Sequence, residues 1–423
     1  MRQGFAALLV VLAGWFCTAA WAAPAPPVLP ANAAAPAGDA LQVSVITFGP
    51  GRVYWERFGH VAILIRNLAT GVGVAYNYGI FNFNQKHFFL NFARGRMEYR
   101  MAADPWRADD AFYVEQGRSI TEQTLNLTPA QRLSLAQFLA WNNEPENTRY
   151  RYDYFLSNCA TRVRDAINRV LGGALRAQLT RQPAPPGHTW RFDSVRALAP
   201  DAPLAMLMDF VLGPGADQPL NLWQDSFLPA QLSLALDTVR IKDAQGQTMP
   251  LVAHTAVLYA GTVPAMLPRP PNWLSPLLAV GLGLAIVLLL LNLWATRGAR
   301  VLFAILATLT TLAMALAGVL MALIWGVTAH WAGWYNENLL AFDPLLLLLV
   351  PVWWSSAKRQ WTVRRPTRVL ATFITLAALA ALVVRHLPGA WQANLDWIAF
   401  ALPIHVVLLV CLLRAPRRNR LLV

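Results

Sequence analysis

Cysteine is scarce in this chain, with three in 423 residues, and two of them, Cys17 and Cys411, fall inside apolar runs. That excludes a disulfide-stapled scaffold, and one thiol outside the apolar runs is too few for a structural zinc site. His60, Asp153, Cys159 and Asp165 match no zinc-ligand spacing, so no metal is expected. No Gly/Ser linker divides the polar half, and no internal repeat is evident. The formal net charge is +13, yet no patch interleaves aromatic and basic residues, which argues against a nucleic-acid partner.

What the chain has in quantity is apolar sequence. Arg2, the apolar run Phe5 to Phe16 and the small-x-small triplet Ala20-Trp21-Ala22 predict a signal peptide over residues 1–22. Gly14-Trp15-Phe16 before Cys17 does not fit a lipoprotein cleavage box, while an uncleaved anchor is the alternative reading of the run. Residues 23–39, almost wholly Pro and Ala, predict a semi-rigid spacer.

Residues 272–423 predict a membrane domain. Apolar runs at Ser275–Leu293, Val301–Trp325, Leu339–Trp354, Val369–Val384 and Trp397–Leu413 approach or exceed the roughly 20 residues that cross a bilayer, the third least clearly. Arg297 and Arg300, then Lys358 to Arg368, then Arg414 to Arg420 place eleven basic side chains on one side, and Thr328–Asp343 carries none. The positive-inside rule therefore predicts five spans, an outward N-terminal domain, a cytoplasmic C-terminus and residence in a bacterial inner membrane. The charge divides accordingly: 22 Lys/Arg against 19 Asp/Glu in residues 24–272, and 12 against 3 in residues 273–423. The basic excess is thus largely a topology signal.

Residues 40–271 remain as one outward-facing α+β domain. Leu41–Phe48 and Val61–Ile65 read as strands, Asn67–Gly73 as a hairpin turn and Val74–Gly79 as the return strand. Thr128-Pro129 opens a helix running through Trp141. A second helix opens at Cys159: Asn158 or Ser157 can cap it, Val163, Ala166, Ile167, Val170 and Leu171 recur at helical spacing, and Gly172-Gly173 ends it. In its first turn a thiol faces unpaired backbone N–H groups, which favour thiolate and a lowered pKa. An unpaired thiol so placed in an exported domain points to a nucleophile.

A nucleophilic thiol needs a base. Among His60, His87, His188 and His254, His60 is the candidate, held at a strand head after Gly59. The competing reading is a strand-end histidine bonded to backbone.

Phe58-Gly59-His60-Val61, Tyr76-Asn77-Tyr78-Gly79-Ile80-Phe81-Asn82-Phe83 and Ser157-Asn158-Cys159-Ala160-Thr161-Arg162 resemble the extracytoplasmic domain of Lnb, the lipoprotein intramolecular transacylase family. The resemblance implies a permuted papain-like, NlpC-type cysteine domain followed by a five-helix membrane region. It implies acyl transfer through a thioester on Cys159 with His60 as base, without a cofactor, on lipoprotein or phospholipid acyl substrates among membrane lipids. A cysteine peptidase or amidase acting on cell-wall peptides, and a non-enzymatic envelope sensor or scaffold, are the alternatives.

For the group that orients His60, Asn77 competes with Tyr76 and Tyr78, which strand alternation puts on the opposite face. Asn158, Arg162, Trp223 and Phe227, together with the two tyrosines, are the candidate substrate-binding residues. Arg164, His330, Glu337 and Asp343 are lesser candidates. His405, deep in the last apolar run, is an intramembrane ionisable group that either serves function or bonds a neighbouring helix.

Overall fold

The structure is a computed structural model that describes residues 38–416 apart from 244, 295 and 388. The expected signal peptide, all but the last two residues of the Pro/Ala spacer, and Arg417, Arg418 and Arg420 lie outside the described residues.

Strand β1 (Leu41–Phe48) pairs antiparallel with β2 (His60–Asn67), which pairs with β3 (Gly73–Ile80) across the expected turn. Helix α1 (Phe88–Ala93), β4 (Glu98–Pro105), α2 (Trp106–Glu115), β5 (Ile120–Leu125), α3 (Pro129–Asn142), β6 (Arg149–Arg151) and α4 (Cys159–Val170) follow. Next come α5 (Ala174–Leu179), α6 (Trp190–Leu198), α7 (Ala202–Val211), α8 (Leu222–Asp225) and α9 (Pro229–Asp237), then a hairpin of β7 (Arg240–Lys242) and β8 (Thr248–Pro250), and β9 (Val252–Tyr259). The main sheet has seven strands in the order β6-β4-β3-β2-β1-β5-β9, and all its pairings are antiparallel.

Both faces of the central strands are covered, so β1 to β3 read as nearly continuous apolar runs. Val43, Val45, Val61, Ile63, Tyr76 and Tyr78 face the large core against α3, α4 and α9. Ile46, Phe48, Ala62, Leu64 and Ala75 face the other way, against Tyr113 and Trp106 of α2. One slip of register would exchange these faces, which is why the pairing is unambiguous.

The two helices foreseen from capping residues form as expected. Thr128 caps α3 by accepting from Gln131 N, and Asn158 caps α4 by accepting from Thr161 N. At the far end of α4, Gly173 N donates to Asn168 O and Gly172 N to Arg169 O, the paired bonds of a Schellman cap. Helices α5 to α9 have no counterpart among the expected elements. Their segments are short and Pro-interrupted, so no 3.6-residue stripe develops.

Four long apolar helices follow, Leu274–Leu293, Arg297–Val327, Arg365–Val384 and Leu395–Arg414. Between the second and third of these lies a broken pair, Trp331–Leu340 and Pro344–Ser355, bent by 49°, which makes a fifth span if counted as one. The expected single run there is interrupted because Asp343 and Pro344 start a new turn, with Leu345 N donating to the Asp343 carboxylate. The break strands backbone carbonyls, and His405 Nε2–H donates to Ala341 O at 2.7 Å. His405 thus satisfies a carbonyl that the bilayer cannot.

The soluble and membrane parts share a polar joint. Asn336 Nδ2 donates to the carbonyls of Phe210 and Leu212, Asn338 Nδ2 to Phe210 O, and Gln392 Nε2 to Leu212 O. Trp397 Nε1 donates to Asp209. On the soluble side, buried Arg191 is clamped by Asp217 at 2.7 Å and by Asp209 at 3.2 Å.

Candidate active site

His60 heads β2 opposite Phe48. Gly59 must precede it, because its φ is +80° and a Cβ would lie 2.8 Å from Phe48 O. The imidazole is stacked with Phe48 (centroids 5.9 Å apart) and Tyr113 (6.1 Å), which fixes its plane.

The β2–β3 register settles what orients the ring. Ala62 pairs with Asn77, so Asn77 shares the His60 face, and His60 Nε2 lies 3.0 Å from Asn77 Oδ1. Asn77 Nδ2 in turn donates to Asp109 at 2.7 Å and to Asp104 at 3.4 Å. A carbonyl oxygen can only accept, so this bond puts the imidazole proton on Nε2 and leaves Nδ1 as the basic nitrogen.

Tyr76 and Tyr78 occupy the opposite face. Both are buried in the core, and Tyr78 OH donates to Asn142 Oδ1 at 2.7 Å. Neither side chain is open to a substrate.

Cys159 starts α4 at the end of the sheet, where β3 bulges against β4 at Gly79. Gly79 has φ +93°, and its Cβ position lies 3.6 Å from Cys159 Cβ, so the bulge opens the place the Cys159 side chain fills. The thiol is half-buried and receives the backbone N–H groups of Ala160 and Val61, the latter one residue from His60.

Here the sequence expectation reverses sign. Burial pushes the Cys159 thiol up to about 11, with the N–H groups and Arg118 offsetting only part of the effect. Burial also lowers His60 to about 4, assisted by like charge on Arg118 and opposed by the Asn77 bond. A helix terminus contributes at most about 2 kcal/mol, near 1.5 pK units, whereas desolvation shifts a buried group by up to roughly 3–5 units. The resting pair is therefore neutral thiol and neutral imidazole. Asp109, next in the chain of bonds, is raised to about 6, chiefly by burial.

Arg118, Tyr113, Asp104 and Asp109 were not foreseen. Arg118 is 3% exposed, lies 4.7 Å from the Tyr113 ring, donates through Nε to Gly49 O, and has no hydrogen-bond partner on Nη2. Its field reaches both the thiol and the imidazole. No local pattern marks these four residues; only the sheet and α2 bring them in.

The other expected binding residues are spent on packing. Asn158 Oδ1 caps α4 while its Nδ2 donates to the carbonyls of Tyr154 and Phe227. Phe227 is buried against Phe155, so its carbonyl rather than its ring serves the site. Trp223 lies under the Arg164 guanidinium at 3.7 Å, and Arg162 sits 4.3 Å over Tyr150 with Nε donating to Ser157.

An aromatic tract leads away from Cys159. Tyr150 and Tyr152 lie within the thiol's field, Tyr152 stacks on Tyr99, and Tyr99 meets Phe81. Phe81 continues to Phe83 and Phe88, and Phe88 to Phe92. Phe92 reaches His330, beyond the end of the second long apolar helix, where His330 Nε2 bonds Phe92 O and Ala329 N bonds Arg94 O. Phe89 is 58% exposed beside them.

Residues 32–200 match the model of the Lnb N-terminal periplasmic domain. No curated protein and no solved structure matches the chain.

Proposed function

We propose that this chain, which belongs to the Lnb family through the N-terminal periplasmic domain at residues 32–200, is a membrane-bound cysteine acyltransferase acting on lipoprotein or phospholipid acyl esters at the outer face of the cytoplasmic membrane. In this reading the broken pair counts as one of five spans, the C-terminus is cytoplasmic, and the outward domain is a permuted papain-like fold. The observation that supports the lipid assignment is the aromatic tract, a path of ring contacts from the neighbourhood of Cys159 to His330, just past the end of a long apolar helix, with Phe83, Phe89 and Phe92 exposed along it. A peptide amidase has no use for such a path, and a scaffold needs no Nε2-anchored imidazole one residue from the N–H that meets a thiol.

The chemistry follows from the neutral pair. Nδ1 of His60 takes the Cys159 proton as sulfur attacks the ester carbonyl, and the N–H groups of the α4 terminus receive the developing oxyanion. Arg118 adds positive potential as the sulfur gains charge. Collapse breaks the ester bond, the alkoxide leaves with the proton from the imidazolium, and the acyl group remains as a thioester. An amine, in the Lnb pattern the lipoprotein's own N-terminus, then attacks the thioester and regenerates the thiol.

The test is intact mass spectrometry of the purified protein with a diacylated lipoprotein. A hydroxylamine-labile acyl adduct on Cys159 with lyso-lipoprotein appearing supports the assignment. No adduct and an unchanged lipoprotein would remove it and direct attention to peptidoglycan fragments.

The pH dependence is a second check. His60 near 4 loses its base function only in strong acid, and Cys159 near 11 ionises only in strong alkali. Single-turnover acylation is expected to be flat between about pH 7 and 10, with Asp109, raised to about 6 and linked to His60 through Asn77, titrating below that window. A bell centred near neutrality would instead require a thiolate–imidazolium resting pair.

A further inference from the structure

We infer that His188, Asp193 and Asp225 form a divalent cation site of the Zn2+ class, separate from Cys159, that braces the segment buttressing the catalytic helix. His188 precedes α6, Asp193 lies within α6 and Asp225 ends α8, and one ligand atom from each falls within 4.8 Å of the others. His188 Nδ1 is 3.2 Å from Asp225 Oδ1 and 3.7 Å from Asp193 Oδ2. Ligands about 2.0–2.1 Å from a tetrahedral Zn2+ stand roughly 3.3 Å apart, so these spacings are close to the edges of such a polyhedron.

The independent sign of a missing partner is Asp193. It is 0% exposed, its Oδ1 is held by Arg196, and its Oδ2 has no hydrogen-bond partner although it is aimed into the cluster. Arg196 balances one carboxylate through Oδ1, and the second buried carboxylate, Asp225, facing the free Oδ2 across one ring nitrogen still needs a cation or a shared proton. The ligand set also suits a metal: imidazole with carboxylate oxygens favours a borderline ion over Ca2+ or Mg2+, and the Arg196 bond to Asp193 is the outer support that ligating carboxylates commonly carry. Gln231, whose amide lies 3.5 Å from His188 Nδ1, offers its oxygen as a fourth ligand when the amide is turned.

The placement gives the ion a task. Asp225 is two residues before Phe227, whose carbonyl accepts the Asn158 side chain that caps α4. Chelation would tie the loop before α6 to the α8 turn and hold that carbonyl in place.

The experiment uses full-length Cys159→Ala protein in detergent, so that the nucleophilic thiol cannot supply the binding. After chelator treatment, the protein is titrated with Zn2+ against a chromophoric competitor and its thermal unfolding is followed. One ion per chain and a Tm higher by several degrees are expected, both lost in the added Asp193→Asn change. No stoichiometric binding, with the same Tm in chelator and in Zn2+, overturns the site and leaves the carboxyls sharing a proton. If the Asp193 variant does not fold, the titration of the parent decides alone. The outcome is independent of acyl transfer, because neither readout involves an acyl substrate.

Discussion

Replacing His60 with alanine is expected to slow Cys159 acylation at pH 7 by about 10⁴-fold and to change the shape of its pH profile. With the thiol raised to about 11, the spontaneous thiolate fraction at pH 7 is on the order of 10⁻⁴, and the variant has only that fraction to react with. Its rate should climb about tenfold per pH unit toward 11, whereas the wild type stays flat. Cys159→Ala should show no adduct at any pH, since nothing replaces the nucleophile. A His60→Ala variant that keeps wild-type rate at pH 7, or loses rate without gaining alkaline dependence, would show that His60 is not the base. Stopped acylation reactions read by mass spectrometry across pH separate these outcomes.

Arg191→Met is expected to lower stability by roughly 3–5 kcal/mol, the usual cost of removing one partner from a buried ion pair. Among the described residues neither carboxylate it leaves behind has another ion pair. Arg191 holds both Asp209 and Asp217 and also donates to Leu212 O, so its loss strands two carboxylates within the joint. Denaturant or thermal unfolding in detergent measures the effect. A change below about 1 kcal/mol would mean that water reaches these carboxylates. Because Asp209 also accepts from Trp397 and Asp217 from Ala393 N, the soluble and membrane parts should melt together in the wild type and separately in the variant.

What could be read from sequence was whatever local chemistry encodes. Thr128-Pro129, Asn158 and Gly172-Gly173 mark helix ends by backbone needs that act over a few residues, and these ends were legible. The strands around Asn67–Gly73 were legible because turn residues separate two apolar runs. The choice between Asn77 and the tyrosines was not, because alternation gives two faces and only the pairing of Ala62 with Asn77 says which face holds His60. Asp104, Asp109, Arg118 and Tyr113 reach the site through tertiary placement alone. The thiol pKa was missed for another reason: the favourable helix terminus is visible in sequence, while the larger opposing burial exists only once Tyr113, Tyr150 and Tyr152 close around Cys159. In the membrane part, composition located the four long apolar helices but not the broken pair with its 49° bend in place of the expected third run.

The joint between the two parts has a geometric consequence for the proposed ester substrates. Trp331 Nε1 donates to Asp153 at 2.8 Å, and Asp153 accepts from Phe155 N and Leu156 N to shape the turn that delivers Cys159. Together with the bonds from Asn336, Asn338 and Gln392, this ties the soluble domain and the Cys159 turn to the apolar helices at several separate points. Under the proposed mechanism, a Cys159 thiol tied in this way to the membrane helices acts as a ruler. It would sort esters by how far they project from the lipid surface, so that lengthening the spacer between lipid anchor and ester should abolish reaction while leaving the reacting bond chemically unchanged.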